Sequence, residues 1–362
     1  MIPSLAYGVF SRPGERPRVG AAAGDHIADL STLPLEHAAD FAEPSLNAFL
    51  ARGRQAWDDT HAEIDDLLTR TRPTLIPAAQ VSMHLPFEVA DYVDFYSSEH
   101  HATNVGRIFR PDGEALSPNW RHLPIGYHGR AGTVVVSGTP IRRPHGQLGP
   151  GEFGPSQRLD IEAEVGFVVG TPAPEGRVAT ADFAEHVFGV VLVNDWSARD
   201  IQRWETVPLG PFLGKSFATS ISPWVVPLAA LEHLRVAPPP ADPPLLPYLS
   251  GSEPWGLDLE LTVRLNGTVI SRPPFRHMYW TAAQQLAHLT VNGASLRTGD
   301  LFASGTVSGP EPDQLGCLLE LTWNGEHPLT LDDGTQRAFL ADGDEVVISA
   351  AELGEVSGRI VG

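Results

Sequence analysis

Glycine and proline interrupt this chain too often for long regular elements. With 35 glycines and 33 prolines in 362 residues, stretches without a breaker are short, which favours strands and turns over helices. Apolar, β-branched runs at 133–136, 164–169, 187–193, 257–265 and 345–348 are the predicted strands. Asn266-Gly267 joins the alternating run ending at Leu265 to Thr268-Val269-Ile270, the pattern of a two-residue hairpin turn. Helical stretches are fewer: 45–50, opening with Ser45 as a capping residue, 61–69 and 281–289. The expected fold class is mainly β with some α (α+β).

A chain of this length exceeds one small domain, so a large domain beside a smaller one is expected. The texture changes across the segment 73–86, which sets the predicted boundary near residue 85 and divides the chain into 1–85 and 86–362. A second proline-dense segment, 237–247, reads as a rigid surface excursion between strand-like stretches.

The formal net charge of −19 repels nucleic acid and anionic membranes and suits a small-molecule substrate or a cation. One cysteine, Cys317, excludes an intrachain disulfide and a multi-cysteine metal site; its ordinary place is a small buried apolar position. Residues Met1 to Gly8 lack a basic region followed by an apolar core, and runs such as 190–193 are too short to span a bilayer. A soluble cytoplasmic protein is expected.

The local pattern richest in chemistry is Asp160-Ile161-Glu162-Ala163-Glu164 leading into Val165-Gly166-Phe167-Val168-Val169. On a strand Glu162 and Glu164 project to the same face, their Cβ atoms about 7 Å apart. Such a pair is tolerated on a solvated edge, or where a divalent cation joins it through oxygens at roughly 2.0 to 2.6 Å. Asp195 ends an apolar run and needs a partner: backbone, Arg199 four residues on, or the same cation. Asp94 is a further oxygen donor and shares a face with Tyr96 if its segment is extended. Donors without cysteine point to Ca2+ or Mg2+ rather than zinc.

His100 and His101 are adjacent and point apart in most conformations, so one of them serves a given pocket as a base, or both lie at the surface. The segment from Asn194 to Phe217 is dense in polar and aromatic residues. Arg199, Gln202 and Lys215 within it are candidates for stabilising an oxyanion, or ordinary surface residues.

Several ordered blocks resemble the fumarylacetoacetate hydrolase family. They are Asp94-Phe95-Tyr96-Ser97-Ser98, His101-Ala102-Thr103-Asn104-Val105-Gly106, and the stretches 119–130, 137–144, 194–215, 277–281 and 303–309. The resemblance implies a small SH3-like N-terminal barrel, a larger β-rich catalytic domain and a homodimer. It implies a metal site at Asp94, Glu162, Glu164 and Asp195, a base at His101 oriented by Glu320, and oxyanion stabilisation by Arg199, Gln202 and Lys215. Tyr96, Arg110, Tyr127, Gln202 and Thr306 match substrate-contacting positions. The implied reaction cuts a carbon–carbon bond of a β-diketone acid, 4-fumarylacetoacetate, into fumarate and acetoacetate, the last step of tyrosine degradation. One position departs: Thr206 follows Trp204-Glu205 where the family carries a tyrosine, leaving room for water or a larger acyl group. Competing readings are a related hydrolase or decarboxylase of another oxo-acid, and a non-catalytic binding protein on the same fold.

Overall fold

The computed structural model describes residues 5–71, 73–251 and 255–362; the first four residues of the Met1–Gly8 opening lie outside them. At its centre is an antiparallel pair, Ala163–Val169 with Val187–Asp195, in register from Ala163 opposite Asn194 to Val168 opposite Gly189, after which the register shifts to put Val169 opposite Val187. Every residue of both strands is buried. This explains why they read as unbroken apolar runs rather than alternating ones: both faces of the sheet are covered.

The pair sits within a thirteen-stranded sheet. On one side Ala163–Val169 pairs with Leu301–Ala303, which runs parallel to Tyr92–Phe95, which in turn pairs with Gly126–His128. On the other side Val187–Asp195 pairs with Trp224–Pro227, whose neighbour is the N-terminal strand Tyr7–Ser11. Thr219–Ile221 joins the far end of Val187–Asp195. A five-stranded sheet built on Thr262–Leu265, Glu345–Ala350 and Gly354–Val361 packs against this framework. The architecture is mixed and strand-rich. Among the described residues, no helix is long and apolar enough to cross a membrane.

The N-terminal strands do not close into the SH3-like barrel that the resemblance implies. Leu75–Pro77, His26–Asp29, Arg18–Ala23 and Tyr7–Ser11 form an open series. The remaining edge of Tyr7–Ser11 is shared by Ser82–His84 and by Trp224–Pro227 from the later part of the chain. Closure would need Ser82–His84 to pair with Leu75–Pro77, and among the described residues each of these strands has a single partner, Tyr7–Ser11 for the one and His26–Asp29 for the other.

Other expectations shift in instructive ways. The stretch expected as one strand over 257–265 splits into Gly256–Leu257 and Thr262–Leu265. Its middle lies against Pro273 and Pro274: the Pro273 carbonyl accepts from Leu261 N at 2.9 Å, and neither proline has an N–H to donate. The helix expected over 61–69 extends to Arg54–Arg70, burying Trp57, Thr60 and Ile64 at helical spacing. Ser45 Oγ accepts from Asn47 N at 3.3 Å ahead of the short helix Asn47–Leu50, without being its N-cap. Thr281 forms a full capping box with Gln284 on Ala282–Thr290. Asn266 and Gly267 make the expected tight turn, both at positive φ (50° and 85°). Segment 237–246 has no regular element and no buried residue.

One backbone approach governs where Asp94 stands. After Leu301–Ala303 the chain turns at Gly305, φ 77°, and a Cβ there would lie 2.0 Å from the carbonyl oxygen of Phe95. Only glycine lets this loop cross the end of the Asp94 strand. Gly305→Ala is therefore expected to lower the unfolding free energy by about 2–4 kcal/mol, from overpacking and left-handed strain together. Urea unfolding checks this, and a change below about 0.5 kcal/mol would mean that the loop relaxes freely.

Candidate active site and metal centre

The central strands end where the acidic residues begin. Glu164 pairs with Val193, Asp195 closes the other strand, and Ala303 bridges Gly166 to Asp94. Glu162 lies just before the strand Ala163–Val169, its backbone N–H held by Asn194 Oδ1 at 3.2 Å. One oxygen from each of Asp94, Glu162, Glu164 and Asp195 lies within 4.8 Å of the others, and all four side chains are buried.

Few cations offset this charge. The Lys215 ammonium contacts Glu162 and Asp195, lies 4.0 Å from Asp94, and donates to Ser197 Oγ at 2.8 Å. Arg199 donates to Glu162 and to Asp160, each at 2.8 Å. Burial first, and then neighbouring carboxylates (Asp195 and Glu162 for Asp94; Asp94, Glu162 and Asp195 for Glu164), drive Asp94 and Glu164 well above the ordinary carboxylate range despite Lys215, and Asp195 is raised as well. Glu162 goes the other way: burial pushes it up, but Lys215 and Arg199 together hold it below that range. For Lys215 burial acts downward, and Asp195 and Glu162 outweigh it, so its ammonium stays charged.

Lys215 does not satisfy the whole cluster. Both oxygens of Glu164 and Oδ1 of Asp94 are buried with no hydrogen-bond partner among the described residues. Unpartnered buried carboxylate oxygens are costly, and a divalent ion with several oxygen ligands relieves that cost. The donor set is oxygen only, so the residues fit a hard divalent cation. Asp195 does not pair with Arg199, the sequence-level alternative; it accepts from Thr219 Oγ1 at 2.7 Å and Tyr127 Oη at 3.3 Å.

A second buried pair stands beside this cluster. His101 lies in the first turn of the helix Glu99–Phe109, whose N-cap Ser98 accepts from His101 N at 3.2 Å. His101 Nδ1 is 2.6 Å from Glu320 Oε2. Glu320 also accepts from Asn104 Nδ2 at 2.9 Å, Ser308 Oγ at 2.8 Å and the Cys317 thiol at 3.2 Å. Burial acts to raise Glu320, yet His101 and these donors hold it below the ordinary carboxylate range. An ionised Glu320 is an acceptor, so Nδ1 carries the proton and Nε2 the lone pair. His100 points elsewhere, its ring 6.0 Å from that of His277, so of the two adjacent histidines His101 is the one that meets Glu320.

The other candidates divide. Tyr96 stands edge-on to His101 at 5.3 Å. Gln202 accepts from Arg199 at 3.3 Å, and Thr306 Oγ1 is buried without a partner. Arg110 is not brought in: it is exposed, donating to the carbonyls of Glu114 at 3.2 Å and Ala115 at 2.7 Å. Thr206 donates to the Gln202 carbonyl at 2.6 Å, closing the helix Arg199–Glu205. A cleft of about 600 Å³ adjoins Arg199, lined also by Arg158, Arg203, Trp204 and Asn324.

Sequence reasoning passed over Asp160. It is fully buried and accepts from Ile161 N, Leu318 N, Leu319 N and Arg199 Nε, at 2.7–3.0 Å. It thereby ties Arg199 to the turn Leu318–Leu321 that carries Glu320. Its period-two relation to Glu162 and Glu164 was a usable signal. Asn104 was legible too, since it follows His101 by three residues and shares its helix face.

With this geometry in view, comparison with known proteins is specific. A family model described as "Fumarylacetoacetate (FAA) hydrolase C-terminal" matches residues 91–361, and one described as "Fumarylacetoacetase N-terminal" matches residues 3–86. The chain is 49% identical over 380 residues to fumarylacetoacetase of Homo sapiens, covering 96% of this chain and 91% of that protein. It is 46% identical to the fumarylacetoacetase of Arabidopsis thaliana, covering 98% and 92%. Among solved structures, a fumarylacetoacetate hydrolase from Exiguobacterium antarcticum superposes with a TM-score of 0.64 at 18% identity, covering 99% of this chain and 100% of that one. A maleylpyruvate hydrolase from Sphingobium sp. SYK-6, in complex with manganese (II) ion and pyruvate, gives 0.59 at 16% identity with 98% of each chain covered. The structural likenesses speak to the fold.

The charge balance of the cluster is open to a direct test. Lys215→Met removes the only ammonium touching it among the described residues, and uncompensated buried carboxylates typically cost about 3–5 kcal/mol. That loss is expected in chelator, with most of it recovered on adding saturating Mg2+. Equal responses of parent and variant to the cation in urea unfolding would show that Lys215 does not balance this cluster.

Proposed function

This chain belongs to the fumarylacetoacetate hydrolase family and is a hydrolase acting on carbon–carbon bonds, and on that premise we propose how its own residues carry the reaction. Its substrate is 4-fumarylacetoacetate and its products are fumarate and acetoacetate, the last step of tyrosine degradation. The observation that carries this reading is the pairing of a hydrogen-bonded His101–Glu320 dyad with an oxygen-only cluster whose Glu164 has no hydrogen-bond partner among the described residues.

Asp94, Glu162, Glu164 and Asp195 would hold the cation, for which oxygen donors favour Ca2+ or Mg2+. When bound, it supplies Lewis-acid polarisation of the diketone oxygens and neutralises enolate charge. His101 Nε2 takes a proton from water, and Glu320 steadies the imidazolium that results. The hydroxide adds to the carbonyl on the fumaryl side. Arg199, Gln202 and Lys215 stabilise the alkoxide, which collapses by breaking the bond to the adjacent methylene carbon. That carbon leaves with the electron pair as the acetoacetate enolate and regains a proton, for which the His101 imidazolium is the source.

Tyr96, Tyr127 and Thr306 are the substrate contacts of this reading, with Gln202. Arg110 joins them only by releasing the carbonyls of Glu114 and Ala115. The division of the chain near residue 85 is supported by the separate family matches on either side of it. A homodimer is part of the same proposal, supported by exposed Val207, Leu209 and Phe212 on one loop. So are a cytoplasmic location and the absence of nucleic-acid or membrane partners, supported by the net charge of −19.

Loss of the base is expected to lower turnover of fumarylacetoacetate by about 10²–10⁴ in His101→Ala, with fold and bound cation retained. Turnover at the parental rate would remove His101 from the mechanism. Carbon dioxide in place of the paired acids would move the enzyme to decarboxylation. Glu164→Gln breaks no ion pair seen here, so its effect should appear as weaker Mg2+ or Ca2+ binding by calorimetry. Unchanged affinity would reject Glu164 as a ligand.

A further inference from the structure

The single thiol of this chain is not in an apolar pocket. Cys317 is fully buried and its Sγ lies 3.2 Å from Glu320 Oε2, the same oxygen that sits 2.6 Å from His101 Nδ1. One ligand atom from each of His101, Cys317 and Glu320 lies within 4.8 Å of the others. This is a nitrogen–sulfur–oxygen triad, chemically unlike the oxygen-only cluster beside it. Zinc takes such donors at about 2.0–2.3 Å in tetrahedral sites with three protein ligands, whereas Ca2+ and Mg2+ take oxygens.

The geometry points to a second, inhibitory metal site at His101, Cys317 and Glu320, selective for Zn2+ and similar borderline-soft cations. Tetrahedral bonds of that length hold ligand atoms roughly 3.3–3.8 Å apart. The sulfur–oxygen contact at 3.2 Å is nearly there, and the nitrogen–oxygen contact at 2.6 Å must open by less than an ångström. Ser308 Oγ, already 2.8 Å from the same Glu320 oxygen, or a water completes the set.

The consequence for catalysis follows from proton positions. Binding displaces the thiol proton to solvent, leaving a Cys317 thiolate on the metal. Nδ1 now ligates through its lone pair, so the proton that it donated to Glu320 must reside on Nε2. Nε2 then has no lone pair with which to accept a proton from water. Zinc here would block the base without touching the acidic cluster, and excess Mg2+ would not reverse it by competing for the oxygen ligands.

The binding arm of this proposal is independent of the substrate, and the inhibition arm rests on His101 being the base. Co2+ serves as the spectroscopic probe for binding to the purified protein with saturating Mg2+. Cys317 is the only cysteine, so a thiolate-to-cobalt charge-transfer band reports this site alone. The band is expected in the parent and absent from Cys317→Ser and Cys317→Ala. A parent that binds Co2+ without the band overturns the site, whatever the substrate proves to be and whether or not the variants fold. For inhibition, each protein's rate with Zn2+ is divided by its own zinc-free rate. Loss of one ligand should raise the half-inhibiting Zn2+ concentration by at least about 100-fold. Equal zinc sensitivity in parent and variants would place the effect elsewhere and defeat the inhibitory role.

Discussion

The structure turns on negative charge held out of water. Asp94, Glu162, Glu164, Asp195 and Asp160 are all buried, and among the described residues the cations paired with them are Lys215 and Arg199. Such a concentration of carboxylates survives only where rigid strands prevent the side chains from escaping to solvent. The central pair Ala163–Val169 and Val187–Asp195, buried on both faces, supplies that rigidity. What the protein fails to neutralise it leaves for a cation, and Glu164 is the clearest instance: strand geometry fixes it, and no donor meets it.

Glu320 shows the opposite solution with the same side chain. Four donors converge on it, from His101, Asn104, Ser308 and Cys317, and they hold it ionised without a metal. Hydrogen bonds aimed at a carboxylate favour its charged form, while burial and like charges oppose it. One anion is thus saturated and orients an imidazole, and the other is left hungry and gathers a hard ion. Asp160 links the two environments, because it grips Arg199 with one oxygen and the turn bearing Glu320 with both.

The surrounding loops gain their shape from local chemistry. Gly305 lets backbone cross backbone beside Asp94, Thr206 closes the helix that carries Arg199 and Gln202, and Ser98 starts the helix that carries His101. Thr206 spends its hydroxyl on the Gln202 carbonyl within its own helix and does not line the cleft beside Arg199.

The sequence by itself determined the strands that are buried on both faces, the Asn266-Gly267 turn, the pairing of Glu162 with Glu164 and the resemblance that assembled the rest, because each rests on short-range spacing or an ordered motif. It misjudged the run around Glu260, where Pro273 and Pro274 deny a ladder its donors, and it could not see that the first strand divides one edge between Ser82–His84 and Trp224–Pro227 while Leu75–Pro77 and Ser82–His84 stay unpaired with each other. Tertiary structure alone decided that Asp195 answers Lys215 rather than its near neighbour Arg199, and that Cys317 lies against a carboxylate. Those outcomes depend on which buried groups come within about 3 Å of each other across long stretches of chain, and at that range hydrogen bonding and desolvation outweigh any local preference.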